Sequence, residues 1–190
     1  MTGVRRLSQA IAEGDGISVL VEVADGSGAR TAQEQGAEGL VVRRPAAGMR
    51  DSSDLPLLAF GLASEVGDVD ALVVDVAEHR DSLSEVVEAA QARGLECVLL
   101  VRDEDELEEV LELVDPEILL LSAEEADDDQ DHLERLLELL PDIPAGKLAI
   151  AELAGASRYE VLELERAGVD AVIVSGSDVG SLVGDTLPDV

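Results

Sequence analysis

Three carboxylates stand at the ends of apolar runs in this chain: Glu22 closes "ISVLVE", Asp75 closes "ALVVD" and Glu152 closes "KLAIAE". Carboxylates converging from strand ends can do acid–base chemistry or hold a divalent cation through oxygen. Arginines follow other runs: Arg43 and Arg44 after "GLVV" with Arg50 beyond, Arg80 next to His79 after "ALVVDV", and Arg102 after "ECVLLV". Guanidinium forks suit carboxylate or phosphate, which makes Arg43 and Arg44 candidates for an anion site. The third group is small. Ser175, Gly176 and Ser177 follow the last apolar run, and Gly155 follows the run before it. Backbone N–H groups at such strand-to-helix turns can hold a phosphate. Each group also has a plainer reading. The arginines have Asp51, Asp81 and Asp103 as neighbours, and solvated ion pairs are worth little. The serine turn is then a tight connection capped by Ser177 or Asp178.

Other chemistry finds little support. His79 and His132 are isolated, Cys97 is the only cysteine, and neither a zinc site nor a disulfide framework follows. The run "EEADDDQD" lacks the glycine and ligand spacing of a calcium loop and reads as a solvated helix start. There is no dinucleotide fingerprint, P-loop or Ser–His–Asp arrangement, so no metal and no cofactor is expected. Phe60 and Tyr159 are the only aromatic residues, which removes stacking platforms for bases. With 43 acidic against 13 basic residues the net charge is -30. Such a field repels nucleic acid and acidic membranes, and admits anions only where basic residues are concentrated. Lys147 is the only lysine; this suits a surface kept soluble in concentrated salt, or a coding bias toward Arg, Ala and Asp. The arginine pair in "VRRLSQAIAEGDG" is followed by no apolar stretch, so it is not an export signal. No run reaches membrane-spanning length, and a cytoplasmic location is expected.

The elements that must position these residues are legible from periodicity. Eight short runs, "ISVLVEV", "GLVVRR", "LPLLAF", "ALVVDV", "ECVLLV", "EILLLS", "KLAIAE" and "AVIVSG", are mostly apolar on both faces, as strands of a buried parallel sheet are. Ser82 with Glu85 and Ser157 with Glu160 have capping-box spacing, and Gly94 and Gly168 mark the ends of those helices. Asp103 with Glu106 opens a stripe of Leu107, Val110, Leu111 and Val114. Leu133, Leu136, Leu137 and Leu140 form another, which Pro141 stops. The alternation predicts an α/β fold, a (β/α)8 TIM barrel in preference to an open doubly wound sheet. It is read as one domain over 1–190 with a short N-terminal helix. The gaps "PAAGMRDSSD" and "GLASEVGDVD" lack the length and stripe of a crossover helix, so the helices after strands 2 and 3 are expected to be short or missing. Apolar sheet left uncovered would mark an interface. A homodimer, or another protein partner over strands 2–4, is therefore expected; short turns that cover the sheet unaided are the alternative.

On these elements the chain resembles a known family. "RRLSQAIAEGDGISVLVEV" is similar to the start of indole-3-glycerol phosphate synthase, and "ARGLECVLLVRDEDELEEVLEL" to its fifth strand and helix. "AIAELAGASRYEVLELERAGVDAVIVSG" is similar to its seventh and eighth strands. The resemblance covers nearly the whole chain in order. It implies a barrel with a lysine acid, a partner carboxylate and phosphate-holding backbone at the last two strands. Laid on this sequence, Glu22 matches the first-strand glutamate, while Ala24 and Phe60 stand at the lysines and Ala59 at an arginine. The strand-five glutamate position is Leu100; the strand-six asparagine position is Leu121, with Ala123 at a nearby arginine. The family's Glu-Ser-Gly reads Glu152, Leu153, Ala154, and the last glycine position is Ser175, followed by Gly176. General acid catalysis needs a group that can give up a proton, and Ala24, Phe60 and Leu100 have none. Lys147 falls at the start of strand seven, the wrong end of such a barrel.

The expectation is thus a synthase-like barrel that has become a pseudoenzyme with an assembly or regulatory role and a weakened phosphate site. The alternative is a lyase- or isomerase-type enzyme on a small phosphorylated or carboxylated metabolite, a carbon–carbon lyase of the synthase type included. Glu22 and Glu152 would be its catalytic pair. Gly155, Ser175, Gly176, Ser177, Arg43 and Arg44 would hold its small anionic ligand.

Overall fold

The computed structural model describes residues 7–44, 48–123, 132–153, 155–175 and 179–182. Eight parallel strands follow one another round a closed barrel: β1 (Ser18–Glu22), β2 (Gly39–Val42), β3 (Leu57–Phe60), β4 (Ala71–Asp75), β5 (Glu96–Val101), β6 (Ile118–Ser122), β7 (Leu148–Glu152) and β8 (Ala171–Val174). Closure is made where β8 pairs with β1, from Ser18 beside Ala171 to Val21 beside Val174. Each of the eight apolar runs named from the sequence contains one of these strands.

Alternation along a strand sends successive side chains to opposite faces, and in a closed barrel those faces are inside and outside. Leu20, Val41, Leu58, Val73, Val98, Leu100, Ile118, Leu120, Ile150 and Ile173 form the inner cluster, with Ala71 and Ala171 beneath. Helix α1 (Leu7–Ala12) plugs the floor with Leu7 and Ile11. The Glu96 carboxylate secures this plug, accepting from the Leu7 N–H at 2.5 Å and from the Ser8 hydroxyl. The alternate residues, among them Val19, Leu40, Leu72, Leu99, Leu119 and Val172, face outward to the helices.

Around the outside lie α2 (Gly26–Glu34), α3 (Met49–Ser52), α4 (Val76–His79), α5 (Leu83–Ala92), α6 (Glu104–Leu113), α7 (His132–Leu139), α8 (Arg158–Ala167) and α9 (Val179–Leu182). The two gaps behave as their lengths dictate. Helix α3 has 4 residues, and residues 61–70 between β3 and β4 form turns and bends with no helix. The expected uncovered sheet is nevertheless not there. Leu40, Val42, Leu57, Ala59, Leu72 and Val74 are all under 5% exposed, because Met49 and Val66 fold down from the two short connections onto them. Two well-placed side chains do what a crossover helix does elsewhere.

Capping follows the local backbone rather than the sequence pattern alone. Ser157 is extended, its hydroxyl accepts from the Glu160 N–H, and Glu160 reaches back to the Ser157 N–H at 2.7 Å, a complete capping box. Gly168 ends the helix in the left-handed region at φ 98°. Asp103 caps α6 through the Glu106 N–H at 2.8 Å. Ser82 makes no such bond. The chain enters α5 from α4 through a 3₁₀ turn, Arg80–Ser82, so Ser82 lacks the extended conformation a side-chain cap needs. The sequence run at 124–131 lies outside the described residues.

Ser157→Ala should therefore lower stability by about 1 kcal/mol in urea unfolding. Ser82→Ala, despite its identical sequence spacing, should stay within about 0.5 kcal/mol of the parent.

Candidate functional site

One further step of the same alternation, two residues beyond the last inner core position of each strand, reaches the C-terminal mouth. The residues that arrive there are Glu22, Arg43, Phe60, Asp75, Arg102, Ser122, Glu152 and Ser175. In barrels of this kind that end carries the chemistry.

Glu22 and Glu152 are brought together by one side chain. Arg43 leaves the end of β2 and its Nε donates to Glu22 Oε2 at 3.0 Å, while Nη2 donates to Glu152 Oε1. The Arg43 guanidinium carbon also lies 4.3 Å from the centre of the Phe60 ring. A single guanidinium thus spans the mouth from β3 to β7, paired with two carboxylates and lying over an aromatic face. Glu152 is 7% exposed, so a charge there requires a cation close by. Burial works against the Arg43 charge, but Glu152 and Glu22 outweigh it and hold the guanidinium above its ordinary pKa.

A second group occupies the opposite arc, on β4 and β5. Arg102 grips Asp75 with both ends of its fork, Nη1 to Oδ1 at 2.9 Å and Nη2 to Oδ2 at 2.5 Å. Asp75 also caps α4, accepting from the Ala77 N–H at 3.0 Å. Glu106, 5% exposed on α6, accepts from the Arg102 N–H at 2.9 Å. Burial pushes the Glu106 carboxyl above its ordinary range in spite of that bond, and Asp103 nearby adds to the effect. The two groups together set four carboxylates against two guanidiniums, a mouth that favours cations over anions.

The remaining candidates disperse. Arg44 is exposed beside Arg43 and makes no ion pair among the described residues. Arg50, which follows the same run as Arg43 and Arg44, goes to the other end of the barrel. It donates to the Leu55 and Asp68 carbonyls and pairs with Asp70, which also accepts from the Leu57 N–H at the start of β3. The chain turns back through α3 before β3 begins, and that reversal carries Arg50 down. Arg80 pairs with Glu109 on the outer surface at 3.0 Å. Lys147 is also at the far end, held by Asp115 at 2.6 Å and the Pro116 carbonyl. Gly155, at φ 68°, faces open space and would meet no neighbour with a Cβ added, though the backbone there is left-handed. Ser175 is exposed after β8; Gly176, Ser177, Asp178 and Ala154 lie outside the described residues. Phe60 and Leu100 face inward, but Leu121 and Ala123 turn to the helix layer, and the inward residue of β6 at this level is Ser122. Sequence reasoning takes Phe60 only as a missing lysine and Glu106 only as a helix-start residue. The period-two step from Leu58 places Phe60 at the mouth; no local signal points to Glu106.

A cavity of about 750 Å³ opens at the N-terminal end, lined by Asp70, Glu96, Cys97, Val114 and Glu117 among others. Asp70 and Glu96 there are already bound to Arg50 and to α1. Burial pushes the Cys97 thiol up to about 11, which leaves it unreactive at neutral pH. Among the described residues no three His, Cys, Asp or Glu converge as metal ligands, and no helix is long and apolar enough to cross a membrane.

Burial raises the Asp75 pKa, yet hydrogen bonding to Arg102, its charge and the Glu78 and Ala77 N–H groups outweigh it and leave the carboxyl below the ordinary aspartate value. The folded state then binds fewer protons than the unfolded chain. The contact stabilises above the ordinary aspartate pKa and is lost as pH falls through the depressed value. Asp75→Asn should cost about 1.5–3 kcal/mol at neutral pH in urea unfolding. Its difference from the parent should shrink as pH drops below about 4.

No family model matches the chain. Curated sequences do. The chain is 26% identical over 106 residues to the indole-3-glycerol phosphate synthase of Geobacillus sp. (strain WCH70), a match covering 56% of this chain and 41% of that protein. It is 28% identical over 103 residues to the enzyme of the same name from Campylobacter fetus subsp. fetus (strain 82-40), covering 54% and 40%. The matches thus span about two-fifths of the length of these relatives. Among solved structures it is similar to N-acetylmannosamine-6-phosphate 2-epimerase from Clostridium perfringens, with TM-score 0.68, 13% identity, and 86% and 88% of the two chains covered. Thiamine phosphate pyrophosphorylase from Pyrococcus furiosus gives TM-score 0.66 at 17% identity, covering 87% and 90%. At these identities the structural likeness speaks for the fold alone, and the sequence likeness narrows it: the chain is a distant relative of indole-3-glycerol phosphate synthase in the ribulose-phosphate-binding barrel superfamily.

Proposed function

We propose that this barrel is a cytoplasmic, non-catalytic relative of the synthase that serves assembly or regulation. The observation that carries the reading is the Arg43 bridge: the two mouth glutamates that could act as acid and base are tied to one guanidinium. A base must be able to take a proton at its working pH, and a carboxylate held by arginine is a poor one. Phe60 and Leu100 offer hydrocarbon where proton transfer needs a titratable group. Lys147 sits at the far end, bound to Asp115. The start of α8, one wall of the expected phosphate site, already has its own Glu160 carboxylate on the Ser157 N–H.

Assembly is supported by the thin cover over strands 2 and 3. A cavity of about 450 Å³ lies between the two short connections, lined by Val42, Met49, Leu57, Ala59, Val66 and Val69. Leu62 stands exposed at 46% on the same connection as Val66. A homodimer or a protein partner on this side is the form proposed.

A second reading, binding of a small anionic metabolite, rests on Arg44 and Gly155. Arg44 is an exposed guanidinium without an ion pair among the described residues, and Gly155 leaves open space after β7. Phosphate or sulfate should then raise the melting temperature of the parent but not of Arg44→Ala; equal response of the two removes this reading.

Two measurements decide the main proposal. Incubated with the anthranilate-derived ribulose phosphate that the synthase cyclises, the protein should form no indole product above a no-protein control, and sustained turnover would overturn it. Light scattering should show a species larger than one chain, or affinity capture a stoichiometric partner; a strict monomer with no partner speaks against the assembly role.

A further inference from the structure

The connection between β3 and β4 presents an outward leucine next to an apolar hole. Leu62 is exposed, while Val66 on the same connection is buried against the sheet. Val66 forms one wall of the cavity whose other walls include Met49 and Val69. The backbone fixes this division. The Leu62 carbonyl accepts from both the Glu65 and the Val66 N–H, at 2.9 and 3.2 Å. Gly61 before it has φ 122°, a left-handed value that suits glycine. The turn drives Val66 inward and holds Leu62 out, so Leu62 does not swing round to fill the hole beside it. We propose that this face is a self-complementary dimer interface, in which Leu62 of each copy enters the cavity of the other about a two-fold axis.

A second copy of the chain is the occupant this surface fits. In a two-fold contact a residue that meets a partner position is met by the same residue in return. Such a contact needs a projection and a recess on one surface, and here one connection carries Leu62 and walls the cavity. A projection already held in place by its turn loses little freedom on docking. The charges on either side divide in the same way. Val42 pairs with Ala59, so Arg44 stands level with Gly61 at one edge, exposed and with no ion pair among the described residues. Glu65 stands exposed on the other side and lines the cavity. Rotation about the two-fold axis that seats Leu62 brings Arg44 of one copy toward Glu65 of the other. The opposing term is the net charge of -30 on each copy, which resists association and is screened by salt. The dimer therefore tightens as salt is raised, whereas a basic partner protein on the same face would be released. The proposed contact rests on the assembly reading above, with Arg44 placed in an ion pair and not in an anion site.

Sedimentation equilibrium of the whole chain in sodium chloride, over about 1–500 μM protein, measures the association. Leu62→Ser removes the projection. Gly67→Leu fills the recess, since Gly67 lines the cavity and a Cβ added there meets nothing within 4 Å. Each substitution acts twice in a two-fold contact, so each should raise the dimer Kd about tenfold or more while the circular dichroism stays that of the parent. Arg44→Glu should weaken the dimer beyond the effect of Arg166→Glu, an equal change of charge on α8, and combining Arg44→Glu with Glu65→Arg should restore it. A dimer that persists unweakened in either Leu62→Ser or Gly67→Leu overturns this interface and leaves assembly through another face. A parent that stays monomeric and captures a different protein overturns it as well, again without touching the assembly reading. A monomer with no partner removes both.

Discussion

Closure of the parallel sheet governs everything else in this molecule. Once β8 pairs with β1 there is no edge strand, and each strand must present one set of side chains inward and the other outward. The interior is narrow and must be filled without voids. With only two aromatic residues in the chain, aliphatics fill it: Leu, Ile and Val at mid-height, Ala71 and Ala171 lower down, and Leu7 and Ile11 as a plug. Gly39 lies in the same lower region, where an added Cβ would come within 2.7 Å of a Leu20 methyl. The floor is thus sealed by hydrocarbon, and polar chemistry is confined to the rim.

At the rim the balance of charge decides what the residues can do. A buried carboxylate on β7 requires a cation, and the single lysine of the chain is engaged at the other end. Arginine is the available answer, and its length lets a residue at the end of β2 serve a partner on β7. The solution has a chemical consequence. The contact that makes Glu152 tolerable also ties it, with Glu22, to a single guanidinium. The same arrangement recurs with Asp75 and Arg102, where a bidentate fork stabilises one carboxylate while Glu106 behind it is left protonation-prone by burial. The acidity of the chain, 43 acidic residues against 13 basic, makes each guanidinium scarce, and at the mouth both are committed.

The outer layer is economical in the same way. Where two crossover helices would be expected, Met49 and Val66 cover β2 and β3 from connections that hold a 4-residue helix in one case and turns and bends in the other. Burial of the sheet is complete at the level of single side chains, while a cavity remains between the two connections. A barrel can therefore be shortened locally without exposing its strands, provided that one large apolar residue in each connection lands on the outer face.

The sequence by itself determined what depends on consecutive residues. Eight apolar runs set the strands, the gaps of ten residues left no room for two full crossover helices, and Ser157 with Glu160 made a cap. The period of two also sufficed to put Glu22 and Glu152 at the mouth, because inward and outward alternate whatever the partner strand is. What lies between residues distant along the chain was decided only by the tertiary structure. Arg43 and Glu152 are separated by 109 positions, and no local pattern tells a long side chain which of several carboxylates it will meet. Arg50 follows the same apolar run as Arg43 yet ends at the opposite end of the barrel, because the reversal at α3 sets its direction. Ser82 has the same spacing as Ser157 yet caps nothing, because the preceding turn denies it an extended backbone. Periodicity is a property of the chain, whereas the pairing of charges is a property of how the closed barrel brings its strand ends together.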